Sequence, residues 1–596
     1  MAYQPPVRDH VFLLEDVLKI DQYAELPSFA DASLDVVKAI IEEAGKFTGE
    51  VLAPLNSVGD KQGCTWHPDN TVTTPAGFKE AYRQLCEGGW TGLGSDPTYG
   101  GQGLPHVVNL SFSEMSSSAN MAFSMYPGLA HGAYSAIHTG GTDEQKQTYL
   151  PKMVTGEWTG TMNLTEPHCG TDLGLLRTKA VPQADGTYRI TGQKIWISAG
   201  EHDMADNIIH LVLARIEGAP AGVKGISLFI VPKYFPTADG GVGARNEGAK
   251  CAGLEEKMGI HGNATCVMAY DDAVGYLIGE ENAGLRIMFV MMNEARIGVG
   301  LQGVAQAEAA YQAAAEFAKD RLQGRSLTGP KNADGPADPI IVHPDVRRML
   351  LDSKAIIEAG RAFLFWTALQ GDLAHGHPDE AVRQKGNDYM GLLTPVLKGY
   401  LTDKGFKVCV DAMQVHGGSG FTEHFPASQY LRDCRIALIY EGTNGVQALD
   451  LVGRKLAANG GRAVMSFFAE IDAYVEAHGS DAQMKPFTDG LAGVKAQLQE
   501  ATMWLMQNGL ANPDNAGAAS TDYMHLFGIT GLAFMWAQIA EACIARAKAG
   551  DADPFYANKL VVGRYFVERI IPEGTSHLAK LKTGSATLMQ LPAEAF

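Results

Sequence analysis

A carboxylate set between a tyrosine and a glycine is the first group in this chain that could do chemistry. Ile439-Tyr440-Glu441-Gly442-Thr443-Asn444-Gly445 follows a polar segment and leads into the apolar-periodic run Val446 to Leu456. The glycine lets other backbone approach, so Glu441, at the mouth of a helix, is placed to move a proton. A glutamate in such a turn also serves as a solvated helix-entry charge favoured by the macrodipole. The heptapeptide alone does not choose between the two.

Other stretches carry groups suited to a polarised ring or an anion. Thr165-Glu-Pro-His-Cys-Gly170-Thr171-Asp is a polar loop after the apolar Met162-Asn-Leu164. Its hydroxyls and backbone N–H groups can donate to an electron-rich ring edge; a capped β-turn is the plainer reading. Trp196 and Ser198 lie close by in Gly192-Gln-Lys-Ile-Trp-Ile-Ser198, and an isolated tryptophan there would ordinarily be core. Arg321 opens Arg321-Leu-Gln323-Gly-Arg325, where a planar guanidinium suits a pyrophosphate or ends a helix with a favourable cation. Met291-Met-Asn293-Glu-Ala-Arg296 supplies a further cation, and Gln414-Val-His-Gly417-Gly418-Ser-Gly420 and Tyr430-Leu-Arg-Asp-Cys-Arg435 precede the Glu441 turn.

Two apparent matches are set aside. Gly298-Val-Gly-Leu-Gln-Gly303 satisfies GxGxxG, but the dinucleotide fingerprint needs a strand before it, and Leu285 to Arg296 reads as helix. Small residues for close helix packing are expected there. His375, His377 and His416 lack a third ligand at suitable spacing, so no metal site is predicted.

The elements that must position these groups form a multidomain α+β chain. At 596 residues it is too long for one core. Residues 1–35 read as an N-terminal extension and 36–156 as a helical domain interrupted by a Gly/Pro-rich loop from Gly88 to Pro105, with Thr142 capping a later helix. From 157 to 280, short β-favouring runs such as Ile208 to Leu213 and Ile226 to Val231 alternate with turns, which predicts a small antiparallel β domain. Helical periodicity returns over 281–458, with Leu393, Val396, Leu397, Tyr400, Leu401 and Val408 on one apolar stripe and a loop from Arg325 to Pro339. Residues 459–596 form a helical C-terminal extension broken at Asn508 to Ser520.

Composition narrows the partners. The net charge of -19 argues against a surface built for nucleic acid or anionic lipid, and the tail from 460 to 596 holds 10 Lys+Arg against 14 Asp+Glu. Leu526 to Ala540 is apolar but short of the ~20 residues a membrane span requires, so a buried helix is expected. Eight scattered cysteines without a CxxC pair read as reduced, and the first ten residues lack the pattern of a secretory signal. A cytoplasmic protein is the expectation.

In order and spacing, the Thr165 loop, the Trp196 segment, the Gln414 and Tyr430 stretches and Tyr440-Glu441-Gly442-Thr443 resemble the acyl-CoA dehydrogenase family over about residues 40 to 456. The resemblance implies FAD, an acyl-CoA thioester substrate and an N-terminal helical, middle β and C-terminal helical architecture. It makes Glu441 the catalytic base, whose backbone N–H also binds the thioester carbonyl. It assigns Leu164, Thr165, Gly170, Thr171, Trp196, Ser198, Thr443 and Gly445 to the flavin, and Asn293, Arg296, Tyr440 and Gly442 to the substrate. It gives Gln323 to the flavin, and Arg321, Gln414, Gly417 and Gly418 to the flavin of a neighbouring subunit, and hence a homo-oligomer, with a dimer favoured. It also implies electron-transfer flavoprotein as acceptor, with oxygen as the alternative.

The chain departs from the family's pattern at Gly324 and Arg325, which replace Phe and Gly and put that loop's path in doubt. One branch carries its base just before the arginine at 296; Ala295 cannot serve, so the role stays with Glu441. Length, the N-terminal extension, His343-Pro-Asp-Val-Arg-Arg348 and the helical tail resemble the bacterial long-form branch that includes 3-methylmercaptopropionyl-CoA dehydrogenases. That branch also holds medium- and long-chain acyl-CoA dehydrogenases, and more distant relatives bind DNA or serve in assembly.

Overall fold

A computed structural model describes residues 3–596. Near its start, the helix Leu34–Phe47 turns Val37, Ile41 and Ala44 inward. Helices α1 (His106–Ala119) and α2 (Met121–Gly140) meet at Asn120, whose side chain accepts the Phe123 N–H at 3.0 Å and so opens α2. The Gly/Pro-rich stretch before them winds through two short 3-10 turns. Only glycine fits at 101, because a Cβ there would lie 2.0 Å from the Ser95 carbonyl oxygen. Thr142 and Gln145 form a reciprocal capping box at the start of Asp143–Val154.

The sheet comprises β1 (Trp158–Asn163), β2 (Lys179–Pro182), β3 (Tyr188–Ser198), β4 (Asn207–Ile216), β5 (Ile226–Pro232), β6 (Ala249–Leu254) and β7 (Thr265–Ile278). β7 pairs with β6, β3 and β5, β5 with β4, and β2 joins β3 to β4, so the sheet closes on itself. Sequence patterning predicts antiparallel pairing throughout, but β1 and β2 both run parallel to β4. The reason is local. β1 ends with Asn163 opposite Val212, and β2 begins with Lys179 opposite Arg215, so both continue in one direction along one edge of β4. Residues 164–178 are an excursion from that edge, opposite only Leu213 and Ala214. The polar loop with Thr165 and Thr171 is therefore held at both ends by sheet.

The long helices α3 (Gly284–Asp320), α4 (Pro344–Gly376) and α5 (Glu380–His416) form the next bundle. Gly300 and Gly303 lie in the interior of α3, where a Cβ would meet the Leu397 and Leu401 carbonyl oxygens at 3.0 and 2.8 Å. The GxGxxG match is thus a close helix crossing. The loop after α3 folds round buried Asp338, which accepts from the Ser326, Lys331 and Asn332 N–H groups at 2.8, 2.9 and 2.7 Å.

The tail adds further helices round α6 (Pro513–Lys548). The break expected over Asn508 to Ser520 contracts to Asn512, which is extended and accepts the Asp514 N–H at 3.0 Å, with Pro513 as first helical residue. By length and composition α6 could cross a membrane, but 89% of its apolar window is buried in the bundle. The N-terminal extension fastens this tail to the core: Lys559 Nζ lies 2.6 Å from Asp9 and 2.9 Å from Glu358, and Arg546 donates to Asp16 at 2.7 Å.

Candidate active site

The turn carrying Glu441 is held by its carbonyl groups. Glu441 has φ +57°, a left-handed conformation that costs a residue with a Cβ ~1 kcal/mol or more and persists only where the surroundings enforce it. Arg296 Nε and Gln447 Nε2 donate to the Glu441 carbonyl oxygen at 3.3 and 3.2 Å. Lys398 Nζ donates to the Gly442 carbonyl at 2.7 Å and to Asn444 Oδ1 at 2.8 Å. Asn444 Nδ2 in turn reaches Gly399 O, Thr402 Oγ1 and Asp403 Oδ1 at 3.1, 2.9 and 2.7 Å. Gly442, at φ +88°, sits where a Cβ would lie 2.5 Å from Gln447 Nε2 and would displace the side chain that donates to the Glu441 carbonyl. Among the described residues the Glu441 N–H meets no acceptor and is available to a ligand carbonyl.

Electrostatics prepare the carboxyl for proton transfer. Burial raises Glu441 from the usual value to about 7, while Arg296 and Lys398 pull in the opposite direction. Burial lowers Lys398 to about 8 against the pull of Glu441 and Asp403, and it lowers Arg296 as well. A glutamate near 7 is poised to act as a base close to neutral pH. The Tyr440 hydroxyl donates to Gln302 Oε1, and its ring packs beside Met121, Ala122, Met125 and Ile260, giving the turn an apolar flank. Asn293 is exposed on α3.

Sequence reasoning missed Lys398, which is fully buried although it lies among the apolar residues of the α5 stripe. A lysine between Leu397 and Tyr400 was the available signal. Its charge needs acceptors when buried, and the Glu441 turn supplies them.

The 164–178 loop is anchored by Glu166, which is only 3% exposed. Its carboxylate accepts from the Arg177 N–H, the Thr178 N–H and the Thr178 hydroxyl at 2.7, 3.0 and 2.6 Å, and from Lys194 Nζ at 2.8 Å. Burial pushes Glu166 up, but Lys194 and these hydrogen bonds bring it below the usual glutamate value. Lys194 also donates to Leu164 O at 2.9 Å, and the Ile195 N–H donates to Thr165 O at 3.0 Å. The loop is thereby pinned to β3 next to Trp196. That indole is 61% exposed, on a residue at φ +61°. Gly170 and Thr171 are exposed, while Leu164, Thr165 and Ser198 are half-buried. An outward indole beside hydroxyls on a clamped loop is a donor set that fits a flavin ring.

The remaining predicted residues are elsewhere. Arg321 ends α3, about seven turns and ~37 Å along the axis beyond Arg296. Gln414, Gly417 and Gly418 are exposed at the neighbouring end of α5, where the Phe317 and His416 rings pack at 4.6 Å with a 31° tilt. Gln323 is exposed and its N–H donates to Asp338 O at 2.9 Å. Arg325 is consumed inside its own loop, donating to Asn332 O and Gly335 O at 2.8 and 2.6 Å, which leaves Arg321 as the outward cation. Thr443 and Gly445 are exposed at the start of the helix after Glu441. One chain thus presents three groups, one round Glu441, one on the clamped loop beside Trp196 and one at the far end of the bundle.

Comparison with known proteins gives a consistent picture. Residues 35–157, 161–273 and 282–456 match the N-terminal, middle and C-terminal domain models of acyl-CoA dehydrogenase, and 467–592 match "Acetyl-CoA dehydrogenase C-terminal like". The chain is 42% identical over 594 residues to the 3-methylmercaptopropionyl-CoA dehydrogenase of Ruegeria pomeroyi, covering 99% of both. It is 34% identical over 615 residues to a butyryl-CoA dehydrogenase of Syntrophomonas wolfei, covering 100% of this chain and 99% of the relative. The crystal structure of a Bacillus anthracis acyl-CoA dehydrogenase complexed with FAD superposes with a TM-score of 0.74 at 22% identity, covering 91% of this chain and 88% of the other, and so shares the fold. Matched by four family models and by relatives aligned nearly end to end, the chain belongs to the acyl-CoA dehydrogenase family, in its long form with an extra C-terminal domain.

Proposed function

We propose that this acyl-CoA dehydrogenase acts on a short acyl-CoA, with 3-methylmercaptopropionyl-CoA as the favoured substrate, and forms the trans-2-enoyl-CoA. The observation that carries the reading is the Glu441 carboxyl, raised to about 7 on a turn whose carbonyls are tied back by Arg296, Lys398 and Gln447. The substrate carbonyl accepts from the Glu441 N–H, which acidifies the adjacent C–H bond. Glu441 takes the α-proton, and the C–H electron pair forms the new double bond as the β-carbon gives up a hydride. Bound FAD supplies the acceptor for that hydride. The residues proposed to hold FAD are those of the clamped loop and of β3, with Trp196 covering the ring.

The near end-to-end match to the Ruegeria enzyme supports the sulfur-containing substrate. A thioether tail also suits the half-buried Tyr440 ring, since sulfur is polarisable and packs well on aromatic rings; Met121 and Met125 behind that ring are buried core. Medium- and long-chain acyl-CoAs are the alternative. Anaerobic bleaching of the flavin by an acyl-CoA series decides between them: fastest bleaching by a C12 or longer thioester would overturn the short-chain reading. Adding electron-transfer flavoprotein, the proposed acceptor, or oxygen to the reduced enzyme then identifies the oxidant.

A homodimer in the cytoplasm is proposed alongside, in keeping with eight unpaired cysteines. The length of α3 keeps Arg321 away from Glu441 of its own chain, so a second copy is proposed to bring Arg321, Gln323, Gln414, Gly417 and Gly418 to the flavin. Mixing inactive Glu441→Gln with inactive Arg321→Ala subunits should restore part of the activity through hybrid sites. No recovery after verified subunit exchange would count against the shared site.

A further inference from the structure

The catalytic turn is held by residues that the C-terminal extension holds in turn. Asp403, on α5, accepts Asn444 Nδ2 through Oδ1 at 2.7 Å, and its Oδ2 lies 2.8 Å from His525 Nε2 on α6. Both side chains are largely enclosed, 26% and 16% exposed. The His525 ring is oriented from two sides, standing edge-on to Tyr400 at 5.4 Å and 5.2 Å from the His577 ring. His577 Nδ1 in turn lies 2.7 Å from Asp522 Oδ1.

The crossing of α6 over α5 falls on the turn of α5 that carries Lys398, Thr402 and Asp403. A Cβ at Gly528 would meet the Tyr400 ring at 2.2 Å, and one at Gly399 would meet Met524 Sδ at 2.3 Å. Two glycines therefore permit this contact, and the extension packs closely on the helix that holds the active-site turn.

We infer that the C-terminal extension is a positioning element of the active site, acting through a His525–Asp403–Asn444 relay. The chemistry runs in one direction. His525, with a proton on Nε2, donates to Asp403 and fixes the carboxylate. Asp403, the nearest of three acceptors beside Gly399 O and Thr402 Oγ1, holds the NH2 side of the Asn444 amide, which leaves Asn444 Oδ1 facing Lys398. If the amide turned over, its NH2 would face the Lys398 ammonium, and the donor to the Gly442 carbonyl would lose its second acceptor. The path of Glu441 and Gly442 would no longer be over-determined, and a left-handed Glu441 needs that support. His525, Asp403 and Asn444 are positioning residues, since none is argued to touch substrate. The inference rests on Glu441 being the base.

The test uses the full-length, FAD-loaded protein with His525→Leu and His525→Gln, the latter keeping an N–H donor within reach of Asp403. Two readouts are followed: the anaerobic bleaching rate at saturating acyl-CoA, and hydrogen exchange of the peptide spanning 439–447. His525→Leu should slow bleaching about tenfold, as loss of alignment does, with little change in half-saturation and with faster exchange at 439–447. His525→Gln should restore both to within about twofold. Asp403→Asn should reproduce the leucine phenotype and add little to it in the double variant, which keeps the test open if His525→Leu folds poorly. Wild-type rate and exchange in His525→Leu, a loss that glutamine does not rescue, or additive effects with Asp403→Asn would each overturn the relay. Failure of every acyl-CoA to bleach the wild type would overturn the base assignment instead, and the exchange arm would then decide the relay alone.

Discussion

Arg296 Nε lies 3.3 Å from the carbonyl oxygen of Glu441, so one cation holds the backbone of the residue whose carboxyl it also stabilises in ionised form. Removing the charge removes a downward pull on a group already raised by burial. In Arg296→Gln the rising limb of bleaching rate against pH should move above its wild-type position near 7, and the rate at pH 7 should fall. A limb left in place, with the rate lowered equally at all pH values, would assign Arg296 a purely structural hold on the turn.

Glu441→Gln should keep the fold and FAD and slow bleaching by about 10²–10⁴-fold, the usual contribution of a general base. Its stability carries a second signature. Glu441 titrates near 7 when folded and near 4.5 otherwise. Between these values the folded state holds a proton that the unfolded state has released, so stability falls as pH rises across that window. Glutamine removes the fall. The variant should match wild type below pH 4.5 and exceed it above 7 by at most about 3 kcal/mol, less because the carboxyl is partly solvated. Thermal denaturation at pH 5 and pH 8 reads this as a Tm gap that widens with pH.

What the sequence revealed depended on how local each feature is. Glu441, Thr165 and Trp196 belong to short polar segments whose order in the chain is informative, and the sequence also contained the helix that separates Arg296 from Arg321. Lys398 was hidden because apolar periodicity marks a buried face without saying that one position on it opens onto a polar turn. His525 and Asp403 come together only through the α5–α6 crossing, as do Glu114, Glu308 and Arg361 from three separate helices. The parallel course of β1 and β2 follows from the return path of residues 164–178, which strand patterning does not encode.

Arg361, buried at 2% exposure, donates to Glu114 at 2.6 and 2.8 Å and to Glu308 at 2.6 Å. Removing it strands two carboxylates among apolar helices, with neutral His10 beside Glu114, lowered by burial to about 3. Arg361→Met should cost about 3–5 kcal/mol, the range for breaking a buried ion pair. Replacing all three charged residues with apolar ones should recover much of that loss. Unfolding midpoints of the single and triple variants test it, and a single variant within ~1 kcal/mol of wild type would show that the cluster is solvated in solution.

Glu166 anchors the loop proposed to hold the flavin. Its carboxylate gathers four donors, and Lys194, held at 0% exposure, has Glu166 and Leu164 O as acceptors. Glu166→Gln conserves shape but leaves a buried ammonium without its counter-charge, so the lysine either deprotonates or pulls the loop apart. The excursion over 164–178 then loses the fixed course that holds Thr165 and Thr171 beside Trp196. FAD affinity should fall by roughly 10–100-fold, or about 1.4–2.8 kcal/mol, read as the rise in flavin fluorescence on dilution. Glu166→Leu with Lys194→Met separates the causes: stability should return because no charge remains buried, while FAD binding should stay weak because the loop has lost its anchor. Recovery of both would mean that the ion pair serves the fold and the loop finds its course without it.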